Sequence, residues 1–177
     1  MKNLIFLFIT NILYILVIMA LKRLQSEYKQ LLKEPNYMFN VMPSENNFFV
    51  WDVILFGSVD TLFEGGIFKA QLFFPKEYPI KPPEFKFITQ IPHPNFYKDG
   101  KVCISILHEG VDEYKYESLA ERWMPSHSVS TILMSIATLF ASPNFDSPAD
   151  VDASVEWRNN WESYKNKIYK LVALTQK

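Results

Sequence analysis

Residues 37–74 read YMFNVMPSENNFFVWDVILFGSVDTLFEGGIFKAQLFF, three apolar runs (37–42, 48–56 and 67–74) divided by two polar clusters. Valine, isoleucine, phenylalanine and tryptophan pack well on a pleated surface, so each run reads as a strand. Pro43-Ser44-Glu45-Asn46-Asn47 and the Gly-rich 57–66 segment supply turn chemistry between them. Connections this short join antiparallel neighbours, whereas parallel strands need a helical crossover. The stretch predicts an antiparallel meander, to which residues 85–88 add a short fourth strand.

On the N-terminal side, Leu21, Leu24, Tyr28, Leu31 and Leu32 fall on one helical face, with Lys22, Arg23, Glu27, Lys29 and Lys33 covering the rest. Pro35 and Asn36 end that helix. On the C-terminal side, residues 89–127 show no sustained period and are punctuated by Pro92, Pro94, Gly100 and Gly110. A long irregular stretch inside a compact domain is uncommon and often functional. Ser128 is placed to cap a helix whose apolar stripe is Val129, Ile132, Leu133, Ile136, Leu139 and Phe140, and Pro143-Asn144 breaks it. Residues 151–157 and 161–174 give two more helices. Trp51, Trp123, Trp157 and Trp161 read as core or near-core. Helix, antiparallel strands, long loop, then helices define an α+β domain over residues 20–177.

Composition narrows the function. The chain has 177 residues, 18 Lys plus Arg against 19 Asp plus Glu, and lacks the basic excess of a nucleic-acid binder. Cys103 is the only cysteine, which excludes an intrachain disulfide and a Cys-based zinc site and suits a reducing, cytoplasmic setting. A lone cysteine is a small buried hydrophobe as readily as a nucleophile, so its surroundings must decide. Residues 1–19 stand apart. The stretch 3–21 is apolar after Asn3 except at Thr10 and Asn11, and its length suits a bilayer span. It reads two ways: as a membrane anchor with the domain on the cytosolic side, for example of the endoplasmic reticulum, or as sequence upstream of a true start at Met19.

Four segments then occur in order: Phe74-Pro75-Lys76-Glu77-Tyr78-Pro79-Ile80-Lys81-Pro82-Pro83; His93-Pro94-Asn95, with Cys103 after it; Glu121-Arg122-Trp123-Met124-Pro125; and Ser142-Pro143-Asn144. With these segments the domain resembles the ubiquitin-conjugating enzymes. The resemblance implies that Cys103 takes ubiquitin from an activating enzyme as a thioester and passes it to a lysine, usually with a RING-type ligase, and that no metal or organic cofactor takes part. A thiolate forms such a labile acyl bond with little help. Two alternatives stay open: a conjugating enzyme for a ubiquitin-like modifier, and a non-catalytic ubiquitin-binding variant.

The resemblance also implies site residues. Asn95 would donate its amide to the oxyanion, or pin its loop, or do both. His93 and Pro94 would organise the active-site loop, with general-base action by His93 the lesser reading. The family usually carries an acidic residue at the gate beyond the buried helix; Ser147 stands there in this chain, with Asp146 just before it. Either Asp146 assists the incoming lysine or it only starts a turn. Ile80, Trp123, Pro125 and Ser126 would face a ligase, and Lys22 and Arg23 the activating enzyme. The connection from Cys103 to Trp123 is longer than in minimal family members and is acidic through Glu109, Asp112, Glu113 and Glu117. Such an insertion is similar to that of the subgroup nearest the G-type members, where it would orient an acceptor ubiquitin; otherwise it is a solvated surface loop.

Overall fold

The computed structural model describes residues 2–111, 117–118 and 120–177, with side chains from residue 10 onward. Its elements run α1 (Lys2–Lys33), β1 (Phe39–Pro43), β2 (Val50–Phe56), β3 (Ile67–Phe73), β4 (Glu84–Phe87), a short 3-10 turn (Ser105–Leu107), α2 (Val129–Ala141), α3 (Val151–Asn159) and α4 (Trp161–Thr175). The strands form one antiparallel sheet in the order β1-β2-β3-β4, as the 37–74 stretch predicts. Its register sets Val53 opposite both Val41 and Ala70, and Leu72 opposite Phe85.

The strand period of two sorts the side chains. Phe39, Val41, Trp51, Val53, Leu55, Phe68, Ala70, Leu72, Phe85 and Phe87 are buried on one face. The other face carries residues such as Asp52, whose carboxylate accepts a hydrogen bond from Gln71 at 2.9 Å. Val129, Ile132, Leu133, Ile136, Ala137 and Phe140 of α2 join the same apolar cluster. The helix opens with a reciprocal cap: the Thr131 amide donates to the Ser128 hydroxyl, and the Ser128 amide to the Thr131 hydroxyl. At its far end the Phe140 ring centroid lies 4.8 Å from Phe63, 5.1 Å from Phe68 and 5.7 Å from Phe96. This aromatic cluster is the floor beneath the site described below.

Three details depart from the sequence reading. On α1 the fully buried residues are Ala20 and Leu24, Glu27 is nearly so, and Leu32 is 63% exposed. The inward stripe is thus rotated from the expected one, because the domain accepts a carboxylate where the pattern assigned solvent. Trp161, expected near the core, is 41% exposed, although its ring lies 5.4 Å from that of Trp157. Finally, α1 continues unbroken through the 3–21 stretch. Leu16, Val17 and Ile18 are already half-buried, and Val17 packs on the core. The C-terminal part of the expected span therefore belongs to the domain, and among the described residues no helix is long and apolar enough to cross a membrane.

Phe140→Ala removes the ring shared by this cluster, and should lower the unfolding free energy by about 3–5 kcal/mol. Urea denaturation followed by tryptophan fluorescence measures it.

Candidate active site

Residues 95–103 form a tight hairpin around Asp99-Gly100. The Cys103 amide donates to the Asn95 carbonyl at 2.9 Å, the Tyr97 amide to the Lys101 carbonyl at 2.8 Å, and the Gly100 amide to the Tyr97 carbonyl at 2.9 Å. Phe96 bridges Val102 across the pair. Gly100 has φ +91, and a Cβ there would lie 2.2 Å from the Phe87 carbonyl oxygen, so the turn demands glycine. The Phe87 amide donates to the Gly100 carbonyl at 2.8 Å, which ties the hairpin to β4. Asn95 and Cys103 are therefore opposite one another, and Cys103 is half-exposed at the hairpin's end. Tyr97 is its diagonal neighbour on the same face, a separation that aromatic side chains reach across. The cysteine sulfur, as charge and as hydrogen-bond partner, raises the Tyr97 hydroxyl above its ordinary value. Sequence reasoning passed over Tyr97, although the Asp-Gly turn signal between two apolar runs was there to be read.

His93 is fully buried and stacked on Phe96, with ring centroids 4.0 Å apart. Its Nδ1 accepts the Asn95 amide at 3.0 Å, and its Nε2 lies 3.0 Å from the Leu139 carbonyl oxygen. An acceptor at Nδ1 requires the proton at Nε2, where it is donated to Leu139, so both ring nitrogens are occupied. Burial holds the imidazole neutral and pushes its pKa down to about 3. This geometry organises the loop and leaves no nitrogen for proton transfer. Asn95, only 1% exposed, exchanges amide hydrogen bonds with Asn144: Nδ2 donates to the Asn144 carbonyl at 2.6 Å, and the Asn144 amide donates to Oδ1 at 2.8 Å. The pinning role expected as one alternative is thus built, and the amide's second N–H is not needed for it.

The gate segment is fixed at its two ends to adjacent residues, Asn95 and Pro94. Beyond Asn144, the Ala149 and Asp150 amides donate to the Pro94 carbonyl at 2.7 and 3.0 Å. Between them Arg158 donates to the Phe145 carbonyl at 3.1 Å and stands over the Phe145 ring, 4.9 Å from its centroid. Asp146 and Ser147 remain exposed on the crest. The Asp146 amide donates to the Asn144 side chain, a turn geometry, while its carboxylate has no partner among the described residues.

Of the acidic connection, Asp112 and Glu113 lie outside the described residues. Glu109 is exposed. Glu117 turns inward: it accepts from the Ser105 hydroxyl at 2.9 Å, contacts His108 Nδ1 at 2.9 Å and pairs with Arg122. Arg122 also donates to the Glu109 and Gly110 carbonyls. Burial works against the Glu117 anion, but His108, Ser105 and Arg122 outweigh it and hold the carboxyl below its usual range. This residue is a latch across the base of the insertion rather than a solvated charge. On the expected ligase side, Ile80 is 60% exposed, and Pro125 and Ser126 are exposed too. Trp123 is buried and donates its indole N–H to the Pro79 carbonyl at 2.9 Å, so it carries the surface instead of forming it. Lys22 is exposed, whereas Arg23 pairs with Glu27 and donates to the His127 carbonyl at 2.8 Å.

The ubiquitin-conjugating enzyme family profile matches residues 23–172. Ubiquitin-conjugating enzyme E2 G2 of Homo sapiens is 50% identical over 147 residues, 82% of this chain and 89% of that protein. Ubiquitin-conjugating enzyme E2 15 of Schizosaccharomyces pombe is 46% identical over 151 residues, 84% and 90% of the two chains. Probable ubiquitin-conjugating enzyme E2 7 of Caenorhabditis elegans is 50% identical over 133 residues, 75% and 81%. The chain belongs to the ubiquitin-conjugating enzymes, a family of transferases. Membership implies ubiquitin, an activating enzyme and a ligase as its partners.

The His93 environment predicts a pH dependence. Its folded pKa lies below the ordinary value of 6.5, so the unfolded chain takes up the proton first on acidification. The contribution is complete above the unfolded pKa and is lost as pH falls toward the folded one, at up to about 1.4 kcal/mol per pH unit. Urea unfolding between neutral pH and pH about 4 should show this slope, and His93→Gln should flatten it.

Proposed function

We propose that Cys103 carries ubiquitin's C-terminal carbonyl as a thioester. The thiolate attacks the activating enzyme's thioester, forming the new C–S bond as the old one breaks. A lysine amine then attacks the same carbonyl, an oxyanion forms and collapses, the Cys103 thiolate leaves, and the amine proton passes to solvent. The observation that carries this reading is the half-exposed Cys103 held opposite Asn95 by the hairpin, with the gate segment fixed to that same asparagine.

Two tasks remain for the surrounding residues. Asn95 donates its second amide N–H to the oxyanion, a contribution whose loss typically slows acyl transfer about 100- to 1000-fold. The lysine must arrive neutral, yet a free lysine near pKa 10.4 is only about 0.04% neutral at pH 7. Lowering that pKa by about three units is worth roughly 4 kcal/mol, within reach of desolvation, whereas a neighbouring carboxylate favours the ammonium and serves to draw the lysine in and orient it. Ser147 can accept a hydrogen bond but cannot balance a positive charge. Asp146, exposed on the crest and unpaired among the described residues, draws in and orients the lysine in this chain.

Ile80, Pro125 and Ser126 meet the ligase's RING-type domain, and Lys22 with the exposed part of Arg23 meets the activating enzyme. The insertion carrying Glu109, Asp112 and Glu113, held by the Glu117 latch, orients the acceptor. The site of action is the cytoplasm, including the cytosolic face of the endoplasmic reticulum. Of residues 3–21, only the part ahead of the half-buried Leu16 is left to act as an anchor there; retention of the full-length chain in the membrane pellet after carbonate washing supports that role, and release into the wash removes it.

A charging assay with activating enzyme, ATP and ubiquitin, run beside a panel of ubiquitin-like modifiers, tests the reading. Ubiquitin should give a thiol-sensitive adduct that Cys103→Ala abolishes; preference for another modifier, or no adduct at all, would overturn it. In single-turnover discharge to free lysine, Asn95→Ala should slow transfer by about 100-fold or more while leaving charging intact. Ser147→Asp, which restores the usual acid, should speed discharge several-fold near neutral pH by drawing in the cationic lysine, with no fall in the apparent pKa.

A further inference from the structure

Glu27 is a carboxylate in the wrong place for a surface helix. It is 7% exposed, and buried charge is tolerated only when it is paired and hydrogen-bonded. Its partners come from three separate parts of the chain. The Tyr78 hydroxyl donates to Oε1 at 2.7 Å, from the proline-rich loop 75–83. The Val129 amide, the first of α2, donates to Oε2 at 2.7 Å. Arg23, one turn back on α1, pairs with Oε1 and donates from Nη2 to the His127 carbonyl at 2.8 Å.

These bonds converge on two loops. Loop 75–83 presents Ile80, and loop 123–128 presents Met124, Pro125 and Ser126. The two touch through the Trp123 indole on the Pro79 carbonyl and through the Tyr78 and Trp123 rings, whose centroids are 5.9 Å apart. The His127 amide closes the second loop on the Met124 carbonyl at 2.9 Å. Every exposed tip is therefore mounted on a buried frame whose centre is a single anion. Burial, with the Glu27 charge beside it, holds the Tyr78 hydroxyl well above its ordinary value, so it stays a donor throughout the working pH range.

We infer that Glu27 is a positioning residue for the ligase: through Tyr78 and Val129 it fixes the spacing of loop 75–83 against loop 123–128. It touches neither the ligase nor the reacting atoms. The inference rests on the proposed ligase-facing role of Ile80, Pro125 and Ser126. The network lies apart from the hairpin and the gate, whose hydrogen bonds involve none of its members. Its disturbance should consequently reach ligase-stimulated transfer and spare the intrinsic reaction. A purely stabilising keystone would lower both together.

The test uses the full chain charged with ubiquitin, and a RING domain chosen from a panel because it stimulates wild-type discharge. Glu27→Gln keeps the volume but turns an amide N–H toward the donors on one side of the former carboxylate, which Tyr78, Val129 and Arg23 share, so a tether is lost. Tyr78→Phe removes the other loop's tether alone, and serves if Glu27→Gln does not fold. Ligase-free discharge to lysine should stay within about twofold of wild type, while the RING concentration for half-maximal stimulation rises about tenfold. Equal losses in both reactions, or unchanged stimulation, would overturn the inference. Ile80→Ala separates the two levels. If stimulation survives Ile80→Ala, the ligase surface lies elsewhere and the inference falls with it; if Ile80→Ala abolishes stimulation and Glu27→Gln does not, the inference alone fails.

Discussion

The arrangement around Cys103 depends on three adjacent residues satisfying one another's neighbours. His93 holds the Asn95 amide and the end of α2 through Leu139; Pro94 offers its carbonyl to the Ala149 and Asp150 amides; Asn95 binds Asn144 by its side chain and Cys103 by its backbone. Buried backbone groups must be paired, and here protein groups do it. The irregular segment is thus as determinate as a strand. Both walls of the site, the cysteine hairpin and the gate, take their positions from the same short run, so one cannot shift without straining the other.

Much of this was legible beforehand. The meander followed from β-rich runs and turn clusters, and the Ser128 cap followed from its place ahead of an apolar stripe. The irregular stretch stood out because it lacked periodicity while the rest had it. What escaped notice shares one cause: polar residues whose partners are distant in sequence. Glu27 sits in a helix at a position that charge patterning assigns to solvent, and its donors lie 51 and 102 residues away. Glu117 looked like one more acid in an acidic loop until Arg122, His108 and Ser105 were seen around it. Periodicity reports on apolar burial and is silent about anions that fold inward.

Trp123 reads in sequence both as near-core and as facing a ligase; it is buried, and its indole N–H is committed to the Pro79 carbonyl. Aromatic residues with a polar edge serve well as such internal struts, because the ring fills space while the N–H fixes orientation. Taken together, the molecule has two buried polar frames, one beside the Cys103 hairpin and one under the exposed tips of loops 75–83 and 123–128, joined by α2. Val129 at its start belongs to the second frame and Leu139 near its end to the first.

The continuity of α1 has a mechanical corollary. Lys2–Lys33 is one helix, with no hinge between its domain-packed portion and its N-terminal portion. Counted from Leu16, the projecting part reaches about 21 Å at the helical rise per residue. A flexible tether would only raise the local concentration of the domain near whatever held its end. A stiff rod fixes azimuth as well as distance, so any body grasping that end also dictates which way the catalytic face looks.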